Sequence, residues 1–224
     1  MECEEVLKKL KSFASQKTLY GMARFGIDVS AAYGVKVPIL RKIKKEIGNN
    51  HILALKLWET GIHEARLLAS MIDDPKKVTK KQFNNWTKDF NSWDICDQVC
   101  GNLFDKTDFV CEKIFEYSKK KNEFEKRTAF ALIACLAVHN KEIKDNEFEK
   151  FFKIIKRESC DERNFVKKAI NWALRQIGKR NIRLNKKAIL IAKQIQKIDS
   201  KSAKWIANDA IRELTSSQIQ KRLK

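Results

Sequence analysis

Residues 91–104 read Asn-Ser-Trp-Asp-Ile-Cys-Asp-Gln-Val-Cys-Gly-Asn-Leu-Phe. As a helix, this stretch sets Trp93 and Asp97 four residues apart, so an indole and a carboxylate lie one turn apart on the same side. Cys96, Val99 and Cys100 surround Asp97 and predict its partial burial. A half-buried carboxylate beside an indole can stabilise developing positive charge. The same spacing also occurs at helix–helix contacts in which the acid pairs with an arginine, and spacing alone leaves both readings open.

Two more clusters carry chemistry-bearing side chains. Glu125-Lys-Arg-Thr-Ala-Phe-Ala-Leu puts Arg127 at the start of an apolar helix face. That residue is either an exposed first-turn cation or an arginine that meets a phosphate or orients Asp97. The run from Asn164 to Arg180 places Lys168, Trp172 and Arg175 on one helix face. Such a face is either an indole in the core with a snorkelling lysine, or an indole offered to a sugar or base while the cations take phosphates. Other chemistries have no motif here: the chain contains no Walker loop, Rossmann glycine pattern, HExxH or GxSxG. His51, His63 and His139 have no second histidine at metal-ligand spacing and read as surface or helix-packing residues. No metal and no cofactor is expected, which leaves carboxylate chemistry supported by aromatic and cationic groups.

The elements that must position these residues are helices. Gly (7) and Pro (2) are too scarce for the turns of a sheet protein of 224 residues. Apolar periodicity predicts helices over 3–16, from Thr18 to near Gly26, and from Pro38 to Gly48, with the proline in the first turn. Further helices are expected over 50–59, 62–72, 79–89, 92–104, 107–120, 122–139, 145–158, 161–178, 185–198 and 200–214. Thr79, Ser92, Asp145, Asp161 and Ser200 are the candidate N-caps, and the segment from about 216 to 224 reads as a basic tail. Helix pairs recur at roughly 35–40 residues, the spacing of HEAT-type repeats. Stacked pairs of this kind curve into a superhelix with a concave face. No composition shift marks a boundary, so residues 1–224 are expected to form a single HEAT-like repeat domain.

The 47 Lys and Arg against 28 Asp and Glu give a formal charge of +19, which implies a polyanionic partner: DNA, RNA or an anionic membrane surface. The six cysteines form no CxxC pair and sit mostly in apolar helical runs, so a reducing, cytoplasmic compartment is expected. The acidic start Met-Glu-Cys-Glu-Glu does not read as a signal peptide, and no apolar run reaches the roughly 18 residues of a membrane span.

Taken together and in order, Ser92-Trp-Asp-Ile-Cys-Asp97, Lys126-Arg-Thr-Ala-Phe130 and the run Val166–Arg180 resemble the AlkD-type alkylpurine DNA glycosylases. Tyr33-Gly-Val-Lys-Val-Pro-Ile-Leu-Arg41 and the run Ala203–Leu214 agree, so the resemblance spans nearly the whole chain. It implies an all-α, right-handed superhelical solenoid of HEAT-like helix pairs with double-stranded DNA in its groove; a monomer is the default expectation. It further implies hydrolytic excision of N3- and N7-alkylated purines without a base-flipping pocket. By position, Asp97 matches the family's catalytic aspartate, Trp93 and Trp172 its active-site tryptophans, and Arg127 its active-site arginine. Lys168, Arg175, Lys179, Arg180, Arg41 and Arg66 are the expected DNA contacts. Around residues 20–35 the chain departs from the best-studied branch of that family. Two other readings remain open from sequence: a non-catalytic HEAT-like nucleic-acid-binding protein, and an armadillo-type scaffold for acidic peptides.

Overall fold

A computed structural model describes residues 1–223; Lys224, the last residue of the expected basic tail, lies outside the described residues. Among the described residues there are fourteen α-helices, one 3-10 turn and no strand. The first seven helices are α1 (Cys3–Ser12), α2 (Gln16–Arg24), α3 (Val37–Ile47), α4 (His51–Glu59), α5 (His63–Ile72), α6 (Lys80–Lys88) and α7 (Trp93–Asn102), followed by a 3-10 turn at Phe104–Lys106. The rest are α8 (Val110–Tyr117), α9 (Glu123–His139), α10 (Asp145–Glu158), α11 (Asn164–Gly178), α12 (Ile182–Gln196), α13 (Lys201–Leu214) and α14 (Ser217–Leu223). They divide into two compact units, Met1–Val110 and Cys111–Lys224.

In the first unit α5 packs against α3 and α7, and α4 packs on α5. A cluster of Trp58, Trp86 and Phe90 fills the space between α4 and α6, with the two indoles stacked at 4.0 Å. In the second unit α9, α11 and α13 pack side by side as one layer, and α10 and α12 pack together as another. Helix α9 is the most deeply buried helix of that unit: every residue from Arg127 to Ala137 is buried. A helix apolar on all sides belongs inside a protein. Skip-one packing follows from amphipathic helix pairs that each bury one stripe against the next pair. Every expected site residue falls on an odd-numbered helix or just beyond its end: Arg41 on α3, Arg66 on α5, Trp93 and Asp97 on α7, Arg127 on α9, and Lys168 to Arg180 on or after α11.

Side-chain caps set several helix starts. Asn50, Thr79, Asn122, Asn181 and Ser200 accept from backbone N–H groups of the first turns of α4, α6, α9, α12 and α13. Several boundaries differ from the periodicity. Helix α1 stops at Ser12 rather than 16, because Ser15 accepts from Thr18 N and starts α2 instead. Helix α11 begins at Asn164 rather than 161. The Asp161 carboxylate accepts from Arg163, its backbone N at 3.1 Å and its Nε at 2.9 Å, with Lys126 Nζ 3.4 Å away, and the helix starts after Arg163. Asp145 is the first residue of α10 and accepts from Asn181 Nδ2 at 3.0 Å. Ser92 precedes α7 without capping it, since its hydroxyl donates to Asp94 Oδ1 at 2.8 Å. Helix α12 starts at Ile182, three residues early, on its Asn181 cap. The expected tail folds through Leu223 as α14, with Ile219 buried and Gln220 Nε2 donating to Leu214 O at 2.6 Å.

Candidate functional site

Helix α7 presents two sides. Ile95, Cys96, Val99 and Cys100 are buried, while Trp93 and Asp97 are half-buried, one turn apart on its other side. Trp93 Nε1 donates to Phe25 O at 3.0 Å, fixing the ring against the segment that follows α2. The carboxylate of Asp97 is therefore neither sealed in the core nor fully in water.

The segment 25–36 is fastened to α5 and to the approach to α7 at several points. Asn91 Nδ2 donates to Asp28 Oδ2 at 2.7 Å, and His63 N donates to Ala31 O at 2.7 Å. Hydrogen bonds from Ser30, and secondarily from Asn91 with nearby His63, hold the Asp28 carboxyl below its ordinary range. Glu64 is fully buried, and its carboxylate accepts from the backbone of Tyr33 (2.9 Å), Gly34 (2.6 Å) and Val35 (3.0 Å). Gly34 has φ +79°, and a Cβ there would stand 2.4 Å from Ser15 O. Only glycine fits that turn. The His63 ring, expected at a surface or in helix packing, is 4% exposed and packs between helices, with Nε2 2.9 Å from Asp94 Oδ2.

In the second unit Arg127 is 5% exposed, and its Nη1 donates to Phe165 O. This ties the first turns of α9 and α11 together, beside the Phe124–Phe165 ring contact at 5.7 Å. The reading of Arg127 as an exposed first-turn cation is thereby excluded. Trp172 is half-buried on α11, two turns beyond Phe165 and so on the same face. With the Gln176 amide turned so that its oxygen faces them, Trp172 Nε1 and Lys179 Nζ both donate to it, at 3.1 and 3.2 Å.

The expected DNA-contacting cations fall into two groups. Arg41 and Lys168 are exposed. Arg66 lies 5.1 Å over the Trp58 ring and donates to Asp89 O at 3.1 Å. Arg175 and Lys179 both pair with Glu213, the latter at 2.7 Å. Arg180 donates to the carbonyls of Ala137 (3.1 Å), Asn140 (2.6 Å) and Ile143 (3.2 Å), and its guanidinium lies 4.5 Å over Phe148.

Trp93 and Asp97 thus share α7 of the first unit, and Arg127 and Trp172 sit on the packed pair α9 and α11 of the second. The residues that fasten α7 and the segment 25–36, namely His63, Glu64, Asp94 and Asn91, were not foreseen as a group. The run Ile62-His-Glu-Ala-Arg, with an acid after a histidine at the start of an apolar helix, was the available signal. Among the described residues no group of three or more His, Cys, Asp or Glu side chains could hold a metal ion, and no helix is long and apolar enough to cross a membrane.

The family model described as DNA alkylation repair enzyme matches residues 6–214. A solved structure reported as a new family of proteins related to the HEAT-like repeat DNA glycosylases, with affinity for branched DNA structures, is similar over 95% of this chain and 95% of its own, at TM-score 0.79 and 18% identity. At that identity the likeness establishes the fold: all-helical and HEAT-like. No curated protein matches the chain.

Proposed function

The chain belongs to the DNA alkylation repair enzyme family, and from that premise we propose that it is a DNA glycosylase that hydrolyses the N-glycosidic bond of N3- and N7-alkylated purines in duplex DNA. The observation that carries this reading is the half-buried Asp97 one helical turn from the indole of Trp93. Alkylation at N3 or N7 makes the purine cationic and weakens its bond to C1′. When that bond breaks, the electron pair passes to the purine, which leaves neutral and needs no strong general acid. Positive charge then grows on the sugar. An ionised Asp97 stabilises that oxocarbenium character and positions a water whose oxygen bonds to C1′, its proton passing to solvent. This is glycoside hydrolysis with a single carboxylate.

Trp93 contributes a π face toward the cationic sugar, and Trp172 is proposed for the same role, each worth about 0.5–2 kcal/mol. Arg127 is proposed to add positive charge for the phosphate backbone. Arg41 and Lys168 are the proposed direct phosphate contacts. Arg66, Arg175, Lys179 and Arg180, engaged with protein acceptors, contribute mainly to the field that attracts DNA. Reading the lesion through its lability, without a base-flipping pocket, is part of this proposal.

The test is release of 7-methylguanine from methylated duplex. Wild-type protein is expected to release the base, and Asp97→Asn to release none while still binding the duplex. If wild-type protein releases no alkylpurine, the catalytic reading fails. A second reading then stands, that of a HEAT-like DNA-binding protein without turnover. It is favoured by the affinity for branched DNA ascribed to the structurally similar family, and it predicts salt-sensitive binding alone.

A further inference from the structure

Helix α2 is the least packed helix of the first unit: none of its residues is buried. Nine residues do not hold a helix by themselves in water. Its ends are held by the Ser15 cap and by the bond from Trp93 to Phe25 O. Thr18, Gly21, Met22 and Phe25 form one stripe at helical spacing, and that stripe lines a cleft of about 560 Å³ rather than packing on a neighbour. Ile27 and the Trp93 indole complete its apolar wall, and Lys17 and Lys36, both exposed, also line it.

Gly21 carries the second observation. It lies in the middle of α2, where glycine weakens a helix relative to alanine. A Cβ built there meets nothing within 4 Å beyond its chain neighbours and the backbone of its own helix. No neighbour in the protein calls for the missing side chain, yet the position faces the cleft. Glycine at such a place suits a ligand that approaches the backbone closely.

We infer that the α2 cleft is a docking site for one unpaired nucleotide of a DNA strand, its base against Met22, Phe25, Ile27 and Trp93 and its flanking phosphates on Lys17 and Lys36. The volume falls in the range of small-ligand sites. An apolar, aromatic wall with cations beside it is the combination that takes a base face and its phosphates together. The chain's charge of +19 favours a polyanionic strand over an acidic-free apolar peptide. The inference rests on DNA being the substrate proposed above, and it adds a subsite that reads an unpaired nucleotide beside the lesion chemistry.

The test compares binding of a duplex carrying a single-nucleotide bulge with binding of the same duplex fully paired, by fluorescence anisotropy at one salt concentration. A 2-aminopurine at the bulge reports stacking by quenching. Wild-type protein is expected to prefer the bulged duplex about tenfold and to quench the probe. Gly21→Leu fills the cleft with no clash at its Cβ beyond its own helix, and is expected to bring the preference below about twofold. Lys17→Gln with Lys36→Gln should lower it likewise. No preference in wild-type protein, or a preference that survives both variants, overturns the inference. Base release from paired methylated duplex is measured in parallel. Release without a bulge preference sinks the cleft and leaves the glycosylase; a bulge preference without release does the reverse.

Discussion

His63 Nε2 lies 2.9 Å from Asp94 Oδ2, joining the start of α5 to the first turn of α7, three residues ahead of Asp97. His63 is 4% exposed, so the pair works where water competes little. Removing either partner leaves the other with an unmet polar group, a loss of about 1–3 kcal/mol. His63→Ala and Asp94→Ala should each lower the urea midpoint, and the double variant should lose less than the sum of the two. Simple additivity would mean that the two side chains do not hold each other.

Glu64 is expected to be as sensitive. Its two oxygens accept three backbone N–H groups from Tyr33 to Val35. Glu64→Gln keeps the volume but replaces one acceptor oxygen with a donor and removes the charge. A loss of about 1.5–3 kcal/mol is expected, with faster amide exchange at Gly34 and Val35. Unchanged exchange there would show that the turn stands without the carboxylate.

The two tryptophans give a graded kinetic prediction. If each supplies about 0.5–2 kcal/mol of cation–π attraction at the transition state, Trp93→Leu and Trp172→Leu should each slow base release about 2- to 30-fold. Duplex affinity should change less than the rate. An equal fall in affinity and rate would assign the indoles to binding alone.

Acid should loosen the second unit through named carboxylates. Burial raises the Asp161 carboxyl, but hydrogen bonds and charge from Arg163, with Lys126, outweigh it and hold the group below its ordinary 3.8. Glu213 is likewise lowered from 4.5, burial being outweighed by Lys179 and Arg175. A carboxylate lowered by folding stabilises fully above its unfolded value and loses that contribution as pH falls through the lower folded one. Urea midpoints should therefore hold steady from pH 7 to about 5 and fall below about pH 4. Asp161→Asn and Glu213→Gln should flatten that fall; an unchanged slope would remove these groups from the acid response.

The cations should separate by job. Lys168→Ala and Arg41→Ala should weaken duplex binding whatever its sequence and lower the slope of log K against log salt by about 1 each. Arg180→Ala should instead unfold more easily. It strips donors from four carbonyls at and after the end of α9 and removes the guanidinium from Phe148. A salt slope altered by Arg180→Ala in a protein of unchanged stability would reverse that division.

By itself the sequence determined the helices and the pairing of the site's nearest neighbours. Trp93 and Asp97 are one turn apart whatever surrounds them, because the spacing of four residues lies within one helix. Apolar periodicity placed thirteen of the fourteen helices, and boundaries moved where a side chain capped a different turn, as Ser15 and Asn181 do, or was engaged by another residue, as Asp161 is. Tertiary structure alone decided which cations are held by protein acceptors and which stay exposed. It decided that Glu64 and His63 anchor the segment beside α7, and that α2 lies over a cleft instead of a core. Those facts depend on contacts between residues some 30 positions apart or more, such as Glu64 with Gly34 and Trp93 with Phe25. Local periodicity records which face of a helix is apolar, and it carries no information on what that face will meet.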